Sequence, residues 1–387
     1  MSRTGLVAST GLTGTGISRI TRELIEAGLV EEGSRLPRRG LPGRRETELS
    51  ISGDVAHVVA VSLHVDSRSI VLADVLGVVK DRVNLDIPFT EPQDRIIGRI
   101  GDLVLELIER NNLKKAQVIG IALSLAGRIK PLEGILVESR IYQWKDLPVV
   151  ELLQSRVGIP VAIENLNNVI NLAESHFGQS QGYDNVLAVR VGTGYVGASL
   201  MLDGRLVRGR WSAAGLIHHV PVNANQILCE CGLRGCMNTV SSGFGILVRM
   251  KNRKRVRFTP GDPPDSNEQV VAILESAEQG DPRSRRLLRE GGEVLGLYIA
   301  QLAEAVSPEA VVIAGKVGRS PCYMEGFNGA WNRFASQENR SSVRIVRSFK
   351  TVAEATVDFA IDRFLLSMEI DLEPLKRIHS SAKEHAA

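Results

Sequence analysis

The sequence predicts an α/β protein that carries a small basic module at its N-terminus. Three observations predict it: strand-type runs alternate with helical patterns from about Val55 onward, the first segment reads helix–turn–helix, and the positive charge excess sits at the start. The chain has 387 residues, 43% hydrophobic and 24% charged, with a net charge of +3. Such a length suggests two or three folding units, and the composition is ordinary for a soluble globular protein. No apolar run approaches the roughly 20 residues of a membrane span. The N-terminus lacks a long apolar stretch, so no secretory signal is expected.

Residues 1–45 hold eight arginines against four glutamates. A local basic excess is the footprint of a polyanion partner. Gly5–Thr10 reads as the end of a short helix, Gly11 as a left-handed turn residue and Thr13 as an N-cap. Ile17, Ile20 and Leu24 then share one helical face, and Thr15, Ser18, Arg19 and Arg22 occupy the opposite one. Leu29 and Val30 start a strand, and Arg35–Arg45 reads as a basic wing containing Arg38, Arg39, Arg44 and Arg45. The pattern is a winged helix-turn-helix over residues 1–52, with Gly14–Ala27 as recognition helix. Its hydroxyl and guanidinium groups would reach base edges while wing arginines hold phosphate. The helix that normally precedes such a pair is expected to be missing. The plainer reading is an amphipathic helix packed on the body. A second basic stretch, Arg249–Arg257, runs into TPGDPPDSN and reads as a solvated loop.

The body, residues 53–387, opens with VVAVSLHV and SIVLADVLG as a hairpin, then an amphipathic helix over Ile96–Arg110. VIGIALSLAG, PVAIEN, NVLAVRVGTGYVGASLML and AVVIAG are apolar runs ending in or broken by glycine or asparagine, as buried strands are. Leu287–Val306 and Val352–Leu366 are long helical patterns. Alternation of this kind places ligands at strand C-termini.

Three of the four cysteines fall in Cys229-Glu-Cys231-Gly-Leu-Arg-Gly-Cys236, and His219 lies upstream. Three thiolates and an imidazole make a shell suited to Zn²⁺. Gly232 and Gly235 allow the tight fold that would aim Cys231 and Cys236 at one point. Buried thiols or a disulfide are the plainer alternative, but CxCGxxGC is compact and needs no oxidation. Four protein ligands leave no open position, so the zinc is structural. Such a site fits a reducing cytoplasm. Cys322 stands alone as a packing thiol.

Glu164-Asn165-x-x-Asn168 with Ala173-Glu174, the Gly192-Thr193-Gly194 turn, and His219 with CxCGxxGC together resemble the ROK family of repressors, open reading frames and kinases. The resemblance covers nearly the whole chain and points to the repressor branch, similar to the N-acetylglucosamine and xylose regulators. It implies a two-lobed, actin-like sugar-kinase fold: lobe one about 53–165 plus the C-terminal helix, lobe two about 166–350. It also implies a homodimer or homotetramer in which the histidine ligand faces the sugar pocket. Members with an N-terminal winged helix are transcription factors, mostly of carbohydrate genes; those without are sugar kinases.

Departures from the family pattern bear on the chemistry. Kinases read Glu-Asn-Asp-Ala-Asn, in which the aspartate deprotonates the sugar hydroxyl; here the position is Leu166, which cannot accept a proton. The phosphate loop Asp-x-Gly-Gly-Thr corresponds to Ser62, His64, Val65 and Asp66, which removes close phosphate approach and adds like charge. The family's Gly-Glu-Ile-Gly-His is Gly215-Leu216-Ile217-His218-His219, and a glutamate after the last cysteine is Asn238. Asn165, His219 and Asn238 remain as candidate effector contacts, each lost carboxylate costing about 1.5–3 kcal/mol of hexose binding. The effector expected is less hydroxylated or anionic, if one exists. The reading is thus a DNA-binding transcriptional regulator with a non-catalytic body, Zn²⁺ as cofactor, and operator DNA and a sugar derivative as partners. An active sugar kinase and an interaction protein that has lost DNA binding are the alternatives.

Overall fold

The computed structural model of the protein describes residues 1–35, 46–65, 67–86, 91–140, 142–222, 226–255, 265–366 and 370–386. The chain opens with α1 (Arg3–Thr10), which ends at left-handed Gly11. It is followed by α2 (Gly14–Glu26), where the Thr13 hydroxyl accepts from Gly16 N. Arg3 ties the pair together, donating to Thr21 Oγ1 at 3.1 Å. β1 (Val30–Arg35) and β2 (Thr47–Ile51) follow as an antiparallel ribbon. The expected apolar face of α2 holds in part. Ile17 is buried and Leu24 half-buried, but Ile20 is 41% exposed. Arg38, Arg39, Arg44 and Arg45 lie outside the described residues.

Lobe one is built from β3 (His57–His64), β4 (Ser67–Asp74), β5 (Val79–Asn84), α3 (Gln93–Arg110) and β6 (Val118–Leu125). The hairpin β7 (Arg128–Lys130) and β8 (Ile135–Ser139) with β9 (Trp144–Leu147) forms a three-stranded sheet, then come α4 (Val149–Val157), β10 (Val161–Asn165) and α5 (Leu166–Phe177). The main sheet runs β10-β6-β3-β4-β5. Every residue of β3 is buried, as expected of a strand covered on both faces. One cover is α3, whose Ile96, Ile97, Ile100, Val104 and Leu107 are sealed in, each side chain contributing about 1.5–3 kcal/mol by burial.

Lobe two repeats the plan. β11 (Val186–Val191), β12 (Val196–Leu202) and β13 (Arg205–Val207) form a meander; after it come α6 (Gly243–Met250), α7 (Asp265–Glu278), α8 (Pro282–Val306), β14 (Ala310–Ala314), α9 (Pro321–Phe334), α10 (Gln337–Ser342) and β15 (Arg344–Arg347). The sheet order is β13-β12-β11-β14-β15. Counted within each lobe, both sheets run third, second, first, fourth, fifth, with the first three strands antiparallel and the last two parallel additions. α5 and α11 (Val352–Phe364) lie between the sheets: Leu166, Val169, Ala173, Ala355 and Ala360 share one core with residues of both.

The last helix, α12 (Glu373–Ala386), lies beyond the helical patterns read in the sequence and packs beside the N-terminal module. Leu375 joins Ala27, Leu29, Ala56 and Val75 in a small core under the N-terminal module. His379 sits directly over Gly28, where φ is +75° and an added Cβ would meet the imidazole at 2.7 Å. Only glycine suits that position, on both backbone and space grounds. Lys376 faces Glu23 and Glu26 of α2.

α5 and α11 are also pinned at the surface by His176 Nδ1, 2.7 Å from Asp362 Oδ1. This bond raises the His176 pKa above 6.5 against the opposing effect of burial. A raised folded pKa stabilises fully below the unfolded value, and the gain is lost as pH rises through the folded value. Asp362→Asn should therefore lower the melting temperature more at about pH 5.5 than at about pH 8.5. Equal deficits at the two pH values would remove the charge from this contact.

Candidate functional site

The sulfur cluster is assembled by a tight loop. Leu228 bridges Arg234, Cys229 N donates to Leu233 O at 2.8 Å and Gly232 N to Cys229 O at 3.0 Å. Gly232 and Gly235 have φ of +91° and +67°, the left-handed turns that the sequence required of them. His219 Nδ1 stands 3.5 Å from Cys229 Sγ, Cys231 Sγ 3.6 Å from Cys236 Sγ, and the four ligand atoms lie within 4.8 Å of one another. A tetrahedron of sulfur ligands around zinc at about 2.3 Å has edges of roughly 3.8 Å. A disulfide would need about 2.0 Å, and all four cysteines are free thiols. Burial holds the Cys229 and Cys236 thiols above their usual range and the His219 imidazole below its own. A neutral ring with crowded thiols is a donor set that a divalent cation can hold as thiolates. His219, Cys229, Cys231 and Cys236 can therefore hold a metal ion.

The loop forms one wall of a cavity of about 450 Å³ between the lobes. Its floor comes from strand ends: His64 and Val65 at the end of β3, Ala126 and Gly127 after β6, Asn165 and Leu166 at the end of β10, and Gly194 after β11. Arg128, Glu138 and Arg140 enter from the β7–β8 hairpin, and Leu216, His218, His219 and Glu230 from the metal loop and its approach. Arg128 pairs with Glu138. Tyr195 OH donates to Glu230 Oε1 at 3.1 Å, and burial with that carboxylate keeps the phenol neutral. Burial, His219 and Arg140 push the His218 pKa down to about 3, so this ring too is uncharged at neutral pH.

Asn165 and Leu166 show what the family landmarks do here. Asn165 caps α5, its Oδ1 accepting from Asn167 N at 2.9 Å, and its Nδ2 donates to Gly127 O at 2.9 Å. Leu166 presents carbon to the cavity at the first position of α5. Glu164, 1% exposed, accepts from Arg208 Nε at 2.8 Å, Ser212 Oγ at 3.2 Å and Asn168 Nδ2 at 3.0 Å. Asn168 also accepts from Ser199, and Glu174 from Ser348. The landmark residues are thus mostly spent on structure. Near the glycine turn, an added Cβ on Gly192 would meet the Arg190 guanidinium at 2.4 Å, and one on Gly194 would meet Val65 Cγ2 at 3.6 Å. His64 Nε2 lies 3.3 Å from Ser124 Oγ, which Thr356 also reaches.

The structure gathers the metal ligands and places His219 and Asn165 at the cavity, but Asn238 lies behind its lining. Asn238 is fully buried and its Oδ1 accepts from Val196 N at 3.4 Å. Thr15, Ser18, Arg19 and Arg22 are all exposed on α2, far in sequence from the cavity. Arg140, Arg190 and Tyr195 escaped the sequence reading. Tyr195 was signalled only by following the glycine turn, and Arg140 sits in a hairpin with no motif.

Known proteins can be set beside this geometry. The xylose repressor of Caldicellulosiruptor bescii is 27% identical over 321 residues, which is 82% of this chain and 79% of that protein. A ROK family transcriptional regulator homologous to Escherichia coli Mlc superposes with a TM-score of 0.77 at 25% identity, covering 97% of this chain and 95% of its own. A ROK glucokinase from Streptomyces griseus, solved with glucose and AMPPNP, shares the fold at a TM-score of 0.67 and 23% identity, over 81% of this chain and 100% of its own. No helix among the described residues is long and apolar enough to cross a membrane. The ROK family profile matches residues 59–357, which takes in both lobes, the cleft and the sulfur cluster; the chain belongs to the ROK family.

Proposed function

We propose that the protein is a DNA-binding transcriptional regulator, acting as a repressor of carbohydrate-related genes, whose ROK body senses a small molecule and does not phosphorylate it. The observation that carries this is the N-terminal unit: two short helices joined by a tight turn, then an antiparallel ribbon. This is read as a winged helix-turn-helix with α2 as recognition helix. Thr15, Ser18, Arg19 and Arg22 stand exposed on it, as major-groove contacts must be. The names of the xylose repressor and the Mlc-like regulator support the same reading. Two copies are proposed to bind a near-palindromic operator, with half-sites about one or two helical turns apart.

The kinase reading has the shared glucokinase fold in its favour. Against it stand Leu166, which offers no base, and the Arg190 guanidinium packed close against Gly192 of the glycine turn. Zinc in the sulfur cluster is proposed to fix the loop that carries His219 and Glu230 to the cavity, with no catalytic part. His219 would ligate through Nδ1 while the rest of its ring lines the cleft.

Each part of the proposal has its own measurement. Purified protein should contain about one zinc per chain, and Cys231→Ser should lose the metal and melt earlier. Absence of metal, or a Cys229–Cys236 disulfide in fresh protein, would end the zinc assignment. With ATP and any hexose, no phosphate transfer should exceed the background of a Cys231→Ser control, and Leu166→Asp alone should not create it. A turnover above that level would falsify the non-catalytic reading. On DNA, Arg19→Ala should relax base preference at one position for about 1–3 kcal/mol. Arg44→Ala should weaken all sequences alike and flatten the salt dependence by about one phosphate contact. If both variants lose affinity equally on specific and random DNA, α2 is not the recognition helix. If the protein ignores DNA at low salt, the regulator reading fails.

A further inference from the structure

Arg140 differs from the other charges of the cleft. Arg128 is spent on Glu138, and Glu230 receives the Tyr195 phenol. Arg140 lines the same cavity, is exposed, and has no hydrogen bond or ion pair among the described residues. It shares the cavity lining with His218, His219, Tyr195 and Glu138. A guanidinium that faces a cavity without a carboxylate partner is a ready fork for an anion.

The remainder of the lining points the same way. Leu166 and Leu216 present carbon where acceptors would be needed for a polyol, and both polar ends of Asn165 are engaged. Sugar hydroxyls lying against that carbon shed water without recovering hydrogen bonds, a cost that a neutral sugar does not offset but that a carboxylate held by a guanidinium does. Among the described lining residues, three arginines face two glutamates, an excess of a single positive charge. That excess matches a carboxylate; a phosphate ester, at about −1.5 to −2, would leave negative charge uncompensated beside Glu138 and Glu230.

We propose that the cleft binds a small carboxylate-bearing ligand, of the aldonic or uronic sugar-acid class, with its carboxylate on Arg140 and its carbon skeleton against Leu166 and Leu216. A volume of about 450 Å³ suits a ligand of that size. The proposal rests on reading the body as a sensor, and it assigns the chemistry of what is sensed.

The test is calorimetry and thermal melting of the full chain with D-gluconate, D-glucuronate, D-glucose, D-xylose, D-glucose 6-phosphate and acetate. Gluconate or glucuronate should bind saturably and raise the melting temperature, while acetate and the neutral sugars do not. Arg140→Gln, which breaks no contact of the free protein and should leave its melting temperature unchanged, should weaken the sugar acid about 10- to 100-fold. Leu216→Glu should turn preference from the acid towards the neutral sugar. The proposal is overturned if neither acid binds, if glucose or glucose 6-phosphate binds more tightly, or if Arg140→Gln leaves acid affinity intact. Binding of the same unliganded samples to oligonucleotides selected from a random pool reports separately on the regulator reading. Protein that binds DNA but no sugar acid sinks this proposal alone, and the converse sinks only the regulator.

Discussion

The arrangement of the cleft depends on one buried carboxylate. Glu164 closes the edge strand β10 of the first sheet and is almost completely removed from solvent. Burying that charge is tolerable only because every side of it is answered. Asn165 N donates to it at 2.8 Å, Asn168 from the first turn of α5 reaches it, and Arg208 and Ser212 arrive from the loop beyond β13. Those last two donors belong to the second half of the molecule, and their loop continues to Leu216, His218 and His219. Arg208 is 45% exposed, so the pair is worth less than a sealed one. Removing the carboxylate, however, would leave Asn168 and Ser212 without acceptors and the loop without its anchor.

This dependence explains why motif residues survive where their chemistry does not. The glutamate and asparagines of the family pattern are still present, but they cap α5, staple β12 through Ser199 and tie the lobes together. Leu166, Leu216, His218, His64 and Val65 line the cavity at altered positions. Substitution there changes what is bound while leaving the scaffold untouched. His219 joins the two concerns, since one edge of its ring belongs to the sulfur cluster and the ring also lines the cleft. Any ion in the cluster thus fixes the orientation of a cavity side chain as an outer partner fixes a ligand.

The parts legible in the sequence were those set by short-range rules. The metal ligands Cys229, Cys231 and Cys236 share one loop, so spacing alone reports their convergence. The buried strands β3 and β11 are mostly apolar runs because both of their faces are covered. Long-range geometry was not legible. Ile20 fits a helical stripe but is left 41% exposed. Asn238 follows the last cysteine closely, yet the backbone turn there sends it behind the cavity to cap Val196 N. Arg140 matters only because a hairpin of the first lobe leans over a loop of the second. The helix over residues 373–386 was not legible at all, since no motif in that stretch marks it or the surface it covers.

That last helix also sets an order of events. Leu375 completes the small core in which Ala27 and Leu29 are buried, and His379 closes over Gly28. Chains are made from the N-terminus at about 5–20 residues per second, so α12 emerges roughly tens of seconds after the segment it covers. During that interval the N-terminal module lacks a wall of its core, and both lobes are complete once α11 has been made, shortly before α12. The N-terminal module is therefore completed only after the residues of both lobes have been made, and its small core also draws Ala56 and Val75 from beside the first sheet.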